Sequence, residues 1–250
     1  MTLIEAIISG IVQGVAEFLP ISSSGHLVVL HKLMGSTEPQ ILFDIFLHLG
    51  TLLAIFIVFG REIIESVTTN KKAGFFVLVG SAITVLFVLF FGKNIEIAFN
   101  DVKIVGIMFL VTGAWLILGD FVRFGTEGLS TLKAVLIGLA QGIATIPGIS
   151  RSGATISTGL FLGLGARSSA TFSFLLAIPA IIGAFLFKII KEPGIGGLDG
   201  LSVNYFIGFI ISCIVGVLSL KILLRVLSKG KLHWFGVYCI LLGILVFVFL

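Results

Sequence analysis

The chain has 250 residues, of which 58% are hydrophobic and 11% are charged, and its mean hydropathy is +1.23. Soluble domains carry roughly a quarter charged residues, so this composition excludes an ordinary soluble protein. The 16 basic and 12 acidic side chains give a net charge of +4. They are scattered between apolar runs and form no basic face, and no nucleic-acid partner is therefore expected.

Eight apolar regions follow one another along the chain. Six are close to the length that a helix needs to cross about 30 Å of hydrocarbon, and they lie at 41–60, 73–92, 104–120, 171–190, 204–228 and 235–250. The other two, at 3–34 and 132–165, are interrupted near the middle by Pro, Gly and clustered hydroxyl residues. The pattern predicts an all-α integral membrane protein with six transmembrane helices and two re-entrant helical hairpins.

The two interrupted regions are similar to each other. When the chain is aligned with itself at an offset of 128, residues 13–27 match residues 141–155 with seven identities in fifteen. The chain is therefore interpreted as a single membrane domain of two repeats, 1–125 and 126–250. Each repeat holds one hairpin and three spans, and because three is odd, the second repeat is expected to be inverted. The two hairpin tips would then meet near the membrane midplane. The GxxxG spacings in the first helix of each hairpin predict close helix packing.

The distribution of Lys and Arg predicts the orientation of the chain. Ten basic residues fall on one side of the predicted spans and five on the other, with Arg151 counted on neither. Because the richer side is normally cytoplasmic, both termini are expected outside the cell. The hairpin at 3–34 would then enter the membrane from the outside.

Three ionisable side chains lie at the predicted tips, Glu17 and His26 in the first hairpin and Arg151 in the second. An ionisable group at the centre of a membrane costs about 2.5–3.5 kcal/mol on insertion scales, so these positions indicate a functional site. A purely structural Glu17–Arg151 pair is the alternative, but such a pair does not need the hydroxyl groups around it. Those hydroxyl groups belong to Ser22, Ser23, Ser24, Ser150, Ser152 and Thr155.

The side chains at the tips suit a phosphate group. Arg151 has a planar fork that matches phosphate oxygens, and Gly25 and Gly153 allow backbone N–H groups to approach closely. Each tip also begins a helix, whose amino terminus favours an anion. An anion at this depth must be attached to an apolar molecule, which suggests a lipid head group. Glu17 and His26 add acid–base or nucleophilic capacity.

Three motifs, QGVAEFLP (13–20), SSSGH (22–26) and PGISRSGAT (147–155), resemble those of the undecaprenyl-diphosphatase family, also called the bacitracin-resistance proteins. The size, the predicted spans and the two hairpins agree with this family over the whole chain. The resemblance implies hydrolysis of a polyprenyl diphosphate carrier lipid to its monophosphate, for reuse in cell-wall synthesis. It also implies a plasma-membrane location, with an active site that is open to the extracytoplasmic side.

The resemblance implies roles for individual residues. Glu17, Ser23, His26 and Arg151 are expected to be catalytic, with Ser23 as a candidate nucleophile. The substrate-binding positions are expected at Gln13, Ser22, Ser24, Gly25, Ser150, Ser152, Gly153 and Thr155. Gln13 stands where many members of the family have Glu, so a carboxylate is missing. A divalent cation, Mg²⁺ or Ca²⁺, is therefore expected on Glu17 together with the substrate phosphates.

Several alternatives stay open at this point. Ser23 or His26 attacks the outer phosphorus, or Glu17 and His26 activate a water molecule. Asp44 and His48, four residues apart on one helix, either form an interfacial pair or line the substrate entrance. The inverted repeat also suits a transporter or flippase for an anionic polyprenyl phosphate lipid. A homodimer is a further open alternative.

Overall fold

The computed structural model of the chain describes residues 2–35, 41–121, 125–191 and 202–250. Within these ranges there are ten α-helices and no β-strand. In chain order the helices are α1 Leu3–Ala16, α2 Ser23–Leu33, α3 Ile41–Val67, α4 Lys71–Phe99, α5 Val102–Asp120, α6 Thr131–Ile143, α7 Arg151–Phe161, α8 Ala166–Lys191, α9 Val203–Leu227 and α10 His233–Phe249. The predicted all-α class is confirmed.

Among the described residues, five helices are long and apolar enough to cross a membrane, namely α3, α4, α5, α8 and α9. Their apolar segments contain 19 to 29 residues and coincide with five of the six predicted spans. The sixth predicted span corresponds to α10, which has 17 residues and is about 25 Å long. The most apolar window of α4 is only 11% buried, so this helix turns its hydrophobic side chains outward. The chain is therefore a multi-pass membrane protein.

Both interrupted regions form two short helices joined by a turn, as the sequence predicts. Residues 17–22 separate α1 from α2, and residues 144–150 separate α6 from α7. Ser22 and Ser150 cap the second helix of each pair, because each hydroxyl oxygen accepts a hydrogen bond from the backbone N–H three residues later, at 3.3 and 3.0 Å. The two turns thus place two helix amino termini at the tips.

Glycines set the closest contacts between the hairpins and the long helices. A Cβ added at Gly14 of α1 would lie 2.8 Å from the carbonyl oxygen of Ser212 in α9. A Cβ added at Gly138 of α6 would overlap the backbone of Gly80 in α4. Gly14 and Gly138 belong to the two GxxxG spacings, so the predicted close packing is found.

A cluster of buried aromatic rings supports the first tip. Phe18, Phe59 and Phe174 are almost fully buried. The ring centroids of Phe18 and Phe59 lie 5.7 and 5.4 Å from that of Phe174. Because Phe18 follows Glu17 directly, this packing fixes the end of α1 against α3 and α8.

Candidate active site

The tips of the two hairpins touch each other. A Cβ added at Gly25 would lie 2.9 Å from the Cα atom of Gly148, so a larger residue would push the tips apart. The guanidinium group of Arg151 donates through Nη2 to Oε1 of Glu17. Residues that are 134 positions apart in the chain therefore form one site.

Glu17 is the centre of this site. It is the residue that ends α1, where its backbone N–H donates to the carbonyl oxygen of Gln13. Its side chain is only 6% exposed, yet both carboxylate oxygens have partners. Oε1 accepts from Arg151, and Oε2 accepts from the Ser23 hydroxyl at 2.6 Å and from Nε2 of Gln13 at 3.1 Å. The short bond to Ser23 joins a hydroxyl group to a carboxylate, which is the arrangement in which a general base activates a nucleophile.

Arg151 is the first residue of α7, and it presents one unused nitrogen. Nη2 is bonded to Glu17, whereas Nη1 is buried and has no hydrogen-bond partner among the described residues. A buried guanidinium N–H without an acceptor is unfavourable. An anion placed beside Arg151 would supply the missing acceptor, and the amino terminus of α7 would stabilise the same charge.

A cavity of about 820 Å³ opens beside these residues. Glu17, Ser23, Ser24 and Arg151 are among the residues that line it. His31, Lys32 and His48 line it as well. Much of the remaining wall is apolar and includes Leu27, Val28, Ile45, Leu49, Ile181 and Phe185. The cavity thus combines ionisable and hydroxyl side chains with an apolar wall, which suits an amphipathic ligand.

His48 lies closer to the centre of the site than the sequence indicated. Its Nε2 atom is 3.8 Å from Oε2 of Glu17, and its Nδ1 atom is bonded to the backbone oxygen of Asp44 at 2.7 Å. Asp44 also lines the cavity, and its Oδ1 atom lies 3.8 Å from Nε2 of His31. Both members of the predicted i, i+4 pair therefore face the cavity. The approach of α3 to α1 is a long-range contact that helical spacing alone does not predict.

His26 points away from Glu17. Its Nδ1 atom is 2.7 Å from the backbone oxygen of Ser22, and its Nε2 atom is 2.7 Å from the hydroxyl of Tyr238 in α10. The residues of α2 that line the cavity include Ser24, Leu27, Val28 and His31. His26 is two residues beyond Ser24, which at about 100° per residue turns its side chain to the opposite side of the helix.

The other hydroxyl and glycine residues at the tips are brought together, but they mainly bond to the protein. Thr155 Oγ1 donates to the backbone oxygen of Arg151 at 2.7 Å and lies 2.6 Å from Ser173 Oγ. Ser152 Oγ donates to the backbone oxygen of Leu19 at 3.4 Å, which joins the second tip to the first. Ser24 lines the cavity. The other predicted binding positions are not among its described lining residues; they are Gln13, Ser22, Gly25, Ser150, Ser152, Gly153 and Thr155. Their roles in substrate binding stay a prediction.

Thr112 of α5 holds the second tip and was not identified from the sequence. Its hydroxyl donates to the carbonyl oxygen of Gly148 at 2.8 Å and accepts from the backbone N–H of Ser150 at 3.0 Å. Gly148 has a φ of +95°, a conformation that favours glycine. The sequence feature that could have identified Thr112 is its position as a hydroxyl residue in the middle of an apolar span. Thr112 thus fixes the turn that leads directly into Arg151.

Replacing Thr112 by valine, which has nearly the same shape, is expected to lower kcat about tenfold or more, because Arg151 loses its fixed position. The two backbone groups left without partners are also expected to cost about 1–3 kcal/mol of stability. Steady-state kinetics and thermal unfolding in detergent measure the two effects. Thr112→Ser keeps the hydroxyl and is expected to restore most of kcat. A Thr112→Val protein with wild-type kcat would contradict this role.

The site contains a weak candidate for a cation position. Among the described residues, no three His, Cys, Asp or Glu side chains form a group that could hold a metal ion. However, Oε1 of Gln13 is buried without a hydrogen-bond partner, and Nε2 of the same amide bonds to Glu17. Amide and carboxylate oxygens are suitable ligands for Mg²⁺ and Ca²⁺, and Mg²⁺ often uses only one or two protein ligands beside water and phosphate.

Known proteins resemble the chain over nearly its whole length. The family model described as "Bacitracin resistance protein BacA" matches residues 6–245. A protein of Desulfosudis oleivorans named undecaprenyl-diphosphatase is 40% identical over 264 aligned positions, which cover 96% of each chain. Proteins of the same name from Carboxydothermus hydrogenoformans and Treponema denticola are each 39% identical, over 99% and 98% of this chain and 97% and 96% of their own.

Proposed function

Because the chain belongs to the family of the bacitracin resistance protein BacA, we infer that it is a membrane phosphatase that hydrolyses undecaprenyl diphosphate to the monophosphate. This reaction returns the carrier lipid to cell-wall synthesis and supports resistance to bacitracin. The bonded cluster of Ser23, Glu17 and Arg151 in the lining of a largely apolar cavity carries the assignment. The cluster suits the diphosphate, and the apolar wall suits the first isoprene units of the lipid.

The proposal also includes the transmembrane topology and the orientation of the chain. Six transmembrane helices, the sixth being α10, and two re-entrant hairpins form the inverted repeats 1–125 and 126–250. Both termini lie outside the cell, and the active site opens to the extracytoplasmic side of the plasma membrane. The matching Ser22 and Ser150 caps and the contact between the tips support the repeat. The excess of basic residues on the opposite side supports the orientation.

The reaction proceeds by attack of the Ser23 hydroxyl on the outer phosphorus. Nη1 of Arg151 and the amino terminus of α7 hold the outer phosphate and stabilise the charge on the transferring group. Glu17 Oε2, which already accepts from Ser23 Oγ, takes the proton as the new O–P bond forms. The bond from the outer phosphorus to the bridging oxygen breaks, and the lipid monophosphate leaves. Water then hydrolyses the phosphoserine and releases inorganic phosphate.

The geometry favours Ser23 over His26 as the nucleophile. Ser23 Oγ lies 2.6 Å from a carboxylate oxygen that can accept its proton, and both residues line the cavity. His26 instead has both ring nitrogens bonded elsewhere. Direct activation of water by Glu17 stays an alternative, and it differs from the serine route because it forms no covalent phosphoenzyme.

A divalent cation is also part of the proposal. Oε1 of Gln13 and the Glu17 carboxylate would hold Mg²⁺ or Ca²⁺ beside the substrate. When bound, the cation would neutralise charge on the diphosphate. Gln13 would then orient the cation, while its Nε2 hydrogen bond keeps the Glu17 carboxylate in place.

The direct test is phosphate release by the purified protein in detergent with undecaprenyl diphosphate, with and without a chelator. We expect rapid release, loss of turnover on chelation, and recovery with added Mg²⁺ or Ca²⁺, because the diphosphate charge must be neutralised for attack. Short-chain prenyl diphosphates, which fill less of the apolar wall, should require higher concentrations. Movement of lipid across vesicles without phosphate release would contradict the phosphatase assignment and support the flippase alternative.

A further inference from the structure

We propose that His26 serves the reaction as a positioning residue, and that Tyr238 of α10 holds it in place. This inference rests on the phosphatase function proposed above. In this proposal, His26 keeps the first tip in the conformation in which the Ser23 hydroxyl is bonded to the Glu17 carboxylate. It exchanges neither protons nor phosphoryl groups with the substrate.

The hydrogen bonds of the His26 ring define its state. The backbone oxygen of Ser22 can only accept, so Nδ1, at 2.7 Å from it, carries the hydrogen. In the neutral ring Nε2 is then an acceptor, and the Tyr238 hydroxyl at 2.7 Å donates to it. Both nitrogens are therefore occupied, and the Nε2 lone pair that a nucleophile or base would use is bonded to Tyr238.

Aromatic rings also enclose His26. The ring of Tyr238 lies parallel to it, with an interplanar angle of 6° and a centroid distance of 5.8 Å. The ring of Phe109 meets its face edge-on at 5.2 Å. The cavity wall contains Ser23 and Glu17 but not His26. Nε2 is therefore directed at Tyr238 and is not part of the surface that lines the cavity.

The bond from His26 to Ser22 acts on the turn that carries Ser23. Ser22 has a φ of +69°, and among the described residues no other non-glycine residue has a positive φ. This conformation is unfavourable for serine and persists only when its surroundings hold it. The Ser22 carbonyl accepts from both the backbone N–H of His26, at 3.2 Å, and its Nδ1–H. The next residue, Ser23, then reaches the Glu17 carboxylate.

The first test removes only the Tyr238 hydroxyl. Tyr238→Phe keeps the neighbouring aromatic ring, so we expect kcat to fall about three- to tenfold, as for the loss of one hydrogen bond between neutral groups, with an unchanged KM. Tyr205→Phe makes the same chemical change on α9, where the ring contacts Phe43 and Phe46, and it should leave both constants unchanged. A Tyr238→Phe protein with wild-type kcat would overturn the proposal.

The second test separates positioning from chemistry at His26 itself. The amide nitrogen of asparagine occupies nearly the place of Nδ1, whereas that of glutamine is closer to Nε2. His26→Asn can therefore still donate to Ser22, and we expect it to keep substantially more kcat than His26→Gln or His26→Ala. If His26 transferred protons or phosphoryl groups, all three variants would be equally inactive, and that result would overturn the proposal.

Two further measurements keep the inference distinct from the function on which it rests. Nitrogen NMR of the histidine rings should show His26 as the Nδ1–H tautomer in the wild type and a changed Nε2 signal in Tyr238→Phe. An acid-labile, base-stable phosphoenzyme would identify a phosphohistidine; it would overturn the inference and the Ser23 route but not the phosphatase function. A wild-type protein that releases no phosphate overturns the phosphatase function, whereas an active one with equally inactive His26 variants overturns only the positioning role.

Discussion

Replacement of Arg151 by alanine is expected to lower phosphate release by about three orders of magnitude or more, the range found for arginines that stabilise a transferring phosphoryl group. The variant loses the Nη1 donor that has no partner within the described part of the chain. It also loses the cation that pairs with the buried Glu17 carboxylate. The measurement is kcat/KM with undecaprenyl diphosphate in detergent.

An unpaired buried carboxylate costs about 3–5 kcal/mol of stability, so the alanine variant could lose activity by unfolding. A second, less destabilising substitution at the same position is therefore needed. Arg151→Lys keeps the positive charge but has no planar fork, so we expect it to fold and still to lose about a hundredfold in kcat/KM. Arg167→Ala is the matched control, since Arg167 is exposed and pairs with Glu62 at 3.4 Å. Near-normal turnover in a folded Arg151→Lys protein would refute the proposed role of the fork.

Glu17→Gln is expected to reduce kcat by about a thousandfold or more, because the variant has no base for the Ser23 hydroxyl and no negative charge opposite Arg151. The substitution keeps the size of the side chain and leaves unchanged the packing of Phe18 against Phe174, which supports the end of α1. If the variant folds but is inactive, the loss is therefore due to the missing carboxylate and not to unfolding. Single-turnover measurements should show that formation of the phosphoenzyme is the step that fails.

The control for this variant makes the same change elsewhere on α1. The Glu5 carboxylate accepts a hydrogen bond from the backbone N–H of Thr2 at the start of the helix, and the backbone N–H of Glu5 donates to the Thr2 hydroxyl. Glu5→Gln should therefore keep normal turnover and lose at most about 1 kcal/mol of stability. If Glu17→Gln retained a tenth of the wild-type kcat, Glu17 would not be the base. Attack by Ser23 would then require another proton acceptor.

Local sequence features were sufficient to predict much of the fold. The apolar runs located the long helices because a membrane span needs a minimum length of hydrophobic residues. The breaks at Pro20 and Pro147 located the tips, because proline and the neighbouring glycine interrupt helical hydrogen bonding. The scarcity of charge then singled out Glu17 and Arg151, and the structure places them in contact.

Other features depend on contacts between distant segments, which a single sequence does not specify. Thr112 holds the second tip across 36 positions, and Tyr238 reaches His26 across 212. His48 approaches Glu17 only because α3 packs beside α1. The direction of His26 was predictable in principle, since the rotation per residue from Ser24 already turns it away from the cavity.

The bond between Arg151 and Glu17 has a consequence for how the activity arises during folding. At the offset that aligns the two repeats, Thr145 occupies the position of Glu17, and Ser23 occupies the position of Arg151. One half of the chain thus contributes the acid and the nucleophile, and the other contributes only the cation. Neither half contains a complete set, so a newly made chain remains inert until the second hairpin has packed against the first. Hydrolysis of the carrier lipid thereby begins only after both hairpins have been made and have come together.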